Sequence, residues 1–191
     1  FSQKVLPRTT GFFIPETSMD TPAAIQDIFH RLCVDKNRNG LIIKDIAAAY
    51  AEGRECLVLS ERLEHLDILH EALKEKVLHL FMLKGGMGKK QLRSLMEAMQ
   101  AVPADENRII LATGKYLGEG FDLPCLDTLF LVFPFSWKGT LIQYTGRLNR
   151  TWYGKKEIQV YDYVDDKVPV LFRMYSRRLK GYKSLGFVID S

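Results

Sequence analysis

Short apolar runs separated by segments with helical spacing constrain the fold of this chain more than any other feature. The runs lie at residues 56–59, 77–83, 108–112, 128–133 and 158–163. Between the first two, Leu63, Leu66, Leu69 and Leu73 recur at the spacing of one helix face. Continuously apolar strands are buried on both sides, and strands joined through helices pair in parallel. The pattern therefore predicts an α/β domain in which helices cover both faces of a mainly parallel sheet.

The two ends of the chain are predicted to differ. Residues 1–20 contain two prolines and several threonines, which predicts an extended connector from something upstream. Because the sequence begins with Phe1, we expect it to be a piece of a longer polypeptide. Residues 21–191 would form the domain, with helices at 22–34 and 40–51 and a C-terminal helical extension beginning at Pro169. In that last helix we expect one apolar stripe to pack against the domain, formed by Leu171, Met174, Tyr175, Leu179 and Tyr182. The basic residues on another face are expected to be solvated; they are Arg173, Arg177 and Lys180.

Composition limits the classes of function. A net charge of +4 permits a polyanionic partner without requiring one. The three cysteines and four histidines show neither a Cys-x-x-Cys pair nor metal-ligand spacing, so we expect no disulfide framework and no metal site. The sequence has no leader and no apolar run of about 18 residues, so we expect no membrane partner and a cytoplasmic location.

Polar residues follow several of the predicted strands. Ser60, Gly85, Thr113 and Asp122 are each placed just after a strand, and ligands of parallel sheets gather at the carboxyl ends of strands. Hydroxyls, cations and exposed backbone amides at one edge suit a sugar-phosphate chain; the further residues are Arg62, Lys84, Gly86 and Gly114. Alternatively, Ser60 is only a helix cap, and Gly85 with Gly86 only forms a turn.

A second polar segment spans residues 143–150. On a continuous helix, Gln143, Arg147 and Arg150 would share one face, with apolar residues opposite. Two guanidinium groups beside an amide suit a polyphosphate, because guanidinium makes paired bonds to phosphate oxygens. The alternative is a solvated basic face.

The segment before it is rich in glycine. Gly114, Gly118 and Gly120 allow backbone to approach a ligand closely, and Asp122 could accept from a ribose hydroxyl or hold an arginine. The large aromatic residues around the second segment are expected to be packing groups, with stacking on a nucleobase or adenine as the alternative; they are Trp137, Trp152 and Tyr153.

Together, Ala-Thr-Gly-x-x-x-x-Glu-Gly-Phe-Asp-x-Pro at 112–124 and Gln-x-x-Gly-Arg-x-x-Arg at 143–150 resemble motifs V and VI of superfamily-two helicases and translocases. The resemblance is greatest to the branch of type III restriction enzyme Res subunits and related DEAD/DEAH-box proteins. Residues 56–62 resemble motif IV, and residues 83–87 resemble the glycine-containing turn after the next strand. The resemblance implies the C-terminal RecA-like lobe of such a protein.

This resemblance assigns roles to particular residues. Arg150 would be the arginine finger, Arg147 its companion on the γ-phosphate, and Gln143 an assisting group. The nucleotide cleft would be lined by Gly118, Glu119, Gly120 and Asp122. The nucleic-acid track would comprise Ser60, Arg62, Lys84, Gly85, Gly86, Thr113 and Gly114.

The same resemblance implies ATP and Mg²⁺ as cofactors. The sequence has neither Gly-x-x-x-x-Gly-Lys-Ser/Thr nor an Asp-Glu box, so the metal would be held mainly by an N-terminal RecA-like lobe of the same polypeptide. We expect this lobe alone to be inactive. Nucleic acid, DNA rather than RNA, would be the second partner. Two alternatives remain: the translocating subunit of a restriction endonuclease, with a nuclease or modification subunit as partner, and a non-enzymatic nucleic-acid-binding module.

Overall fold

The computed structural model describes residues 2–15, 22–114, 121–136 and 138–190 of the chain. Helices and strands alternate along most of this length. In chain order they are β1 (Ser2–Thr9), α1 (Pro22–Val34), α2 (Lys36–Ala51), β2 (Cys56–Leu59), α3 (Leu63–Leu73), β3 (Leu80–Leu83), α4 (Lys89–Gln100), β4 (Ile109–Ala112), β5 (Thr128–Leu131), α5 (Lys138–Gly146), β6 (Glu157–Val164), α6 (Pro169–Ser184) and β7 (Val188–Ile189).

Within the described residues, seven strands form one sheet in the order β3-β4-β2-β5-β6-β1-β7. Every neighbouring pair is parallel. The inner strand β2, between β4 and β5, is buried at every position, as expected for a strand with helices on both sides. The predicted α/β class with a parallel sheet is confirmed, and its layers match the RecA-like arrangement.

Alternate residues of the strands enter two separate cores. Leu57 and Leu59 of β2 pack in the same core as residues of α4, α5 and α6, whereas Cys56 and Val58 pack with α2 and α3. This division follows from the two-residue period of a strand, which sends successive side chains to opposite faces. The two cores explain why the sheet is covered on both sides, because each apolar face needs its own layer of helices.

The N-terminal segment is a strand of the sheet. Ser2–Thr9 is β1, which pairs with β6 from Ser2 opposite Glu157 to Thr9 opposite Val164 and also borders β7. The sequence did not indicate this pairing, because Val5 is the one fully buried position in a mixed polar and apolar run. The expected connection to an upstream lobe stays a prediction, and residues 16–20 lie outside the described part.

Helix α6 begins at Pro169 as predicted, and Leu171, Tyr175 and Tyr182 of the predicted stripe are buried. The sequence missed one member of the buried face. Arg178 is 4% exposed and makes a two-point ion pair with Asp162 of β6, at 2.8 Å from Nε and 2.9 Å from Nη2. A buried arginine is stable only with such compensation, which helical spacing alone does not reveal.

Candidate functional site

The carboxyl ends of β2, β3 and β4 lie at one level of the sheet. Leu59 and Leu83 both pair with Ala112, the last residue of β4. The residues that follow, Ser60, Lys84 and Thr113, therefore leave the sheet side by side. The structure thus brings together the loops that carry most of the predicted nucleic-acid residues, which we call the carboxyl edge.

Ser60 is buried at this edge and its hydroxyl is already bonded. Its Oγ lies 3.0 Å from Nδ1 of His65 and accepts from the Arg62 backbone N–H at 3.2 Å. His65 Nε2 lies 2.9 Å from Asn39 Oδ1. Because that oxygen can only accept, the histidine donates a hydrogen bond from Nε2 and accepts one from the Ser60 hydroxyl at Nδ1. Ser60 thus shapes the turn before α3, but it is not the helix cap of the alternative interpretation, because the N-cap position of α3 is Arg62.

The imidazole in this chain of bonds is held neutral. His65 is fully buried, and burial together with the charge of Arg38 lowers its pKa to about 3. A charged imidazole could not accept from Ser60, so burial and hydrogen bonding favour the same state.

Thr113 and Gly114 form the middle of the carboxyl edge. Thr113 is 6% exposed, and among the described residues its Oγ1 has no hydrogen-bond partner. A buried hydroxyl left unbonded costs about 1–3 kcal/mol, so Thr113 Oγ1 favours an acceptor that lies beyond the described residues. Gly114 is in close contact with Tyr144 of α5: a Cβ at position 114 would lie 2.0 Å from Tyr144 Oη.

The cations of the carboxyl edge differ in exposure. Lys84, Gly85 and Gly86 are exposed, and Gly86 takes a positive φ of 84° in the turn before α4. Arg62 is half-buried because its guanidinium lies over two phenyl rings, 5.9 Å from the centroid of Phe29 and 5.8 Å from that of Phe133. These contacts hold the charge of Arg62 at the rim of the edge.

The prediction of one continuous helix through residues 143–150 is wrong at the C-terminal end of that segment. Helix α5 ends at Gly146, so Arg147 and Arg150 lie beyond it while Gln143 is exposed on it. At this end the N–H groups of Arg147 and Leu148 bond carbonyls three residues back, at Tyr144 and Thr145, which closes the helix with a tighter turn. Lys155 Nζ donates to the carbonyls of Leu148 and Arg150 in the segment that follows, each at 2.8 Å.

Both arginines nevertheless contact the glycine-rich segment. Arg150 forms a two-point pair with Asp122, with 3.0 Å between Nη1 and Oδ1 and 3.3 Å between Nη2 and Oδ2. Arg147 Nη1 donates to the carbonyl oxygen of Phe121 at 3.3 Å. Gly118, Glu119 and Gly120 lie outside the described residues. Side chains of the two predicted motifs are therefore adjacent in space, at Asp122 and Arg150.

Asp122 is not at the carboxyl edge, contrary to the sequence prediction. It lines a cavity of about 530 Å³ together with Glu55 and Arg108, which directly precede β2 and β4 at their amino ends. The position was mispredicted because a long connection, rather than a strand, leads to Asp122. The chain therefore presents two candidate surfaces, and the glycine-rich segment joins them.

Two aromatic residues line the same cavity. Trp152 is 51% exposed and Tyr153 is 99% exposed, so neither is the packing group that we expected. Trp137 lies outside the described residues. The alternative interpretation, in which these rings stack on a nucleobase or adenine, stays a prediction.

In the described part of the chain, no group of three or more His, Cys, Asp or Glu side chains could hold a metal ion. No described helix has both the length and the apolar character needed to cross a bilayer.

Comparison with known proteins extends these observations. The transcript termination protein A18 of Fowlpox virus (strain NVSL) is 29% identical over 102 residues, which are 52% of this chain and 21% of that protein. The crystal structure of T4 UvsW matches with a TM-score of 0.75 and 16% identity over 98% of this chain and 41% of that chain. S. cerevisiae Dbp5 bound to RNA and ADP BeF3 matches with a TM-score of 0.63 and 11% identity over 98% of this chain and 40% of that chain.

The chain thus spans about a fifth of the viral relative's length and less than half of either solved structure. The likeness to the solved structures shows the fold. The expected closeness to type III restriction Res subunits stays a prediction. The profile of the helicase conserved C-terminal domain matches residues 39–151, a segment that contains the carboxyl edge, Asp122 and both arginines. The chain therefore belongs to the helicase conserved C-terminal domain family, and its fold is the RecA-like one that it shares with part of T4 UvsW.

Proposed function

We propose that this chain is the C-terminal motor lobe of an ATP-dependent nucleic-acid helicase or translocase. In this proposal Arg150 is the arginine finger, Arg147 is its companion on the γ-phosphate, and Gln143 assists them. The observation that carries the proposal is the exposed pair of Arg150 and Asp122 next to Arg147. It leaves cationic groups in reach of a ligand that arrives from solution or from another domain.

The exposure of this pair matters for its chemistry. An ion pair in contact with water contributes only about 0–1 kcal/mol, because solvent screens both charges. Arg150 can therefore exchange Asp122 for a phosphate oxygen at little cost.

The nucleotide itself would be held mainly by an N-terminal RecA-like lobe of the same polypeptide, which would supply the phosphate cradle and the Mg²⁺ ligands. This lobe alone would then be inactive. Asp122 would accept from a ribose hydroxyl, and Gly118, Glu119 and Gly120 would line the same cleft. The adjoining cavity, with Trp152 on its wall, has room for the nucleoside part.

The carboxyl edge would form part of the nucleic-acid track. The exposed backbone of Gly85 and Gly86 suits contacts to phosphate and sugar, which carry no sequence information. Thr113 Oγ1 is buried and would join them only if binding exposed it. Lys84 and Arg62 add charge, and Gly114 belongs to the same surface. Ser60 would contact the strand only by exchanging its bond to His65, so its main part in the track is to shape the turn.

The partners of the whole protein are part of the proposal. The match to Dbp5 bound to RNA and ADP BeF3 supports the pairing of nucleic acid and nucleotide, and we propose DNA as the preferred strand. If the Res-subunit resemblance holds, a nuclease or modification subunit would be a separate chain or domain. The three cysteines are free and buried, which supports a reducing compartment such as the cytoplasm.

The test is ATP hydrolysis with and without DNA or RNA by three polypeptides. They are the 191-residue chain, the chain extended to include the N-terminal lobe, and the extended chain carrying Arg150→Ala. We expect nucleic-acid-stimulated hydrolysis in the extended wild type only. Hydrolysis by the 191-residue chain alone would refute the proposal. A folded extended chain that binds nucleotide but stays inactive with every nucleic acid would favour the non-enzymatic binding module.

A further inference from the structure

The segment from Tyr144 to Arg150 contacts both described ends of the glycine-rich connection. At the carboxyl edge, the ring of Tyr144 lies against Gly114, where an added Cβ would come within 2.6 Å of Cζ. At the other end, Arg147 bonds the Phe121 carbonyl and Arg150 bonds the Asp122 carboxylate. Seven consecutive positions therefore join the two candidate surfaces described above.

The hydroxyl of Tyr144 also bonds to the carboxyl edge. Tyr144 Oη donates to Glu61 Oε1 at 2.6 Å, and Glu61 lies between Ser60 and Arg62 in the turn after β2. The ring is 6% exposed and meets the edge of Phe135 at 5.6 Å between centroids. Burial and the neighbouring Glu61 raise the pKa of Tyr144, so the phenol keeps its proton and remains a donor near neutral pH.

The contact continues along the backbone to the arginines. The Arg147 N–H donates to the Tyr144 carbonyl oxygen at 3.2 Å in the turn that closes α5. A shift of Glu61 or Gly114 would therefore move the ring of Tyr144, and the backbone bond would pass that movement to Arg147 within one helical turn. Close-packed side chains and hydrogen bonds are suited to such transmission, because they have few alternative arrangements.

We propose that Tyr144 is a positioning residue that links nucleic-acid binding at the carboxyl edge to the placement of Arg147 and Arg150. This inference rests on the proposed function. Glu61 is the acceptor that sets the position of the tyrosine hydroxyl, and Gly114 is the position whose lack of a side chain admits the ring. Tyr144 touches neither phosphate nor strand.

The test uses Tyr144→Phe in the full polypeptide that includes the N-terminal lobe. Phenylalanine keeps the ring against Gly114 and removes the bond to Glu61. We expect the rate at saturating nucleic acid to fall about tenfold, in the usual range of coupling between sites. The KM for nucleic acid should change less than twofold, because the contacts to the strand remain. Tyr50→Phe, which removes the acceptor of the Leu78 N–H far from the carboxyl edge, is the matched control and should behave as wild type.

Substitutions of Glu61 distinguish loss of the hydrogen bond between Tyr144 and Glu61 from a general disturbance of the fold. Glu61→Gln keeps an oxygen that accepts from Tyr144 and should retain wild-type stimulation. Glu61→Ala should reproduce the tenfold loss, and the double variant Tyr144→Phe, Glu61→Ala should lose no more than either single variant. Independent, additive losses would overturn the inference, as would wild-type behaviour of Tyr144→Phe.

Amide hydrogen exchange distinguishes failure of this inference from failure of the proposed function. Adding nucleic acid without nucleotide should slow exchange at residues 147–150 in wild type and leave it unchanged in Tyr144→Phe. If wild type shows no stimulated hydrolysis, the proposed function fails, and this exchange measurement still decides on the linkage. Equal responses in the two proteins, or no response in wild type that has bound nucleic acid, would overturn the linkage.

Discussion

Arg150 and Asp122 bond each other through both nitrogens and both oxygens, although more than half of each side chain is exposed. We expect Arg150→Ala to lower nucleic-acid-stimulated hydrolysis by about 10³-fold or more, the usual effect of losing an arginine finger. The melting temperature should stay within a few degrees of wild type, since an exposed pair adds little stability. Arg177→Ala, at an exposed position of α6, should retain full activity. Residual hydrolysis within tenfold of wild type would contradict the role given to Arg150.

The cavity beside this pair yields a prediction about nucleotide affinity. Stacking of a base on an aromatic ring is worth about 1–3 kcal/mol, so Trp152→Ala should raise the Kd for ATP roughly 5- to 150-fold in the extended polypeptide. Binding of inorganic tripolyphosphate should be unchanged, because it presents no ring to Trp152. Titration calorimetry measures both ligands. Equal weakening of ATP and tripolyphosphate would place the effect on the phosphates and argue against a stacking contact.

Two lysines flank β3 and test where nucleic acid binds. Lys84 follows the carboxyl end of the strand, whereas Lys76 lies on the amino side, and both are exposed. We expect Lys84→Ala to weaken binding to strands of any sequence and to reduce the slope of log K against log salt by about one. Lys76→Ala should leave the affinity and the slope unchanged. A larger effect at Lys76 would move the track to the opposite edge.

The sequence predicted local features of this chain well and distant pairings poorly. Strand β2 was recognisable in the sequence because a strand that is buried at every position consists of apolar residues alone. Strand β1 was not, since its place depends on hydrogen bonds to β6, more than 150 residues away in the chain. The end of α5 was missed because no glycine or proline directly after Gly146 marks it in the sequence, and because the segment that follows is bonded by Lys155, which the helical spacing does not include.

Buried arginines show the same limit. Arg38 and Arg178 are almost fully buried, and each pairs with an aspartate, Asp165 and Asp162 respectively. Helical spacing correctly assigned Arg173, Arg177 and Lys180 to solvent. It made no assignment for Arg178, because spacing does not show that a neighbouring strand offers a buried carboxylate. The positions of Arg62, Lys84 and Thr113 at one edge were predictable, because strand ends of a parallel sheet coincide.

Arg178 gives a prediction for stability. Its guanidinium bonds both oxygens of Asp162 and also the Phe135 carbonyl at 2.6 Å. Replacing it with Met leaves a buried carboxylate without its cation, so Arg178→Met should lower the free energy of unfolding by about 3–5 kcal/mol. Arg177→Met, one position away and exposed, should change it by less than about 0.5 kcal/mol. Urea denaturation of both variants measures the difference, and a similar small effect at both positions would contradict the assigned pairing.

His65 predicts a specific dependence of stability on acid. Its pKa is about 3 in the folded chain and near 6.5 when unfolded, so only the unfolded state gains this proton as the pH falls below 6.5. His65 therefore makes its full contribution to the free energy of unfolding above pH 6.5, and this contribution declines toward pH 3. Between pH 7.5 and pH 5 the free energy of unfolding falls by about 2 kcal/mol from this group. His65→Gln should be less stable than wild type at pH 7.5, because the Ser60 and Asn39 bonds are disturbed, yet should lack this part of the pH dependence. Urea denaturation at the two pH values checks the difference. If an imidazole proton signal of His65 titrates near pH 6 in the folded protein instead, the ring is protonated while it stays buried. The hydrogen bond from Ser60 would then be lost near pH 6 rather than near pH 3, which would contradict the prediction.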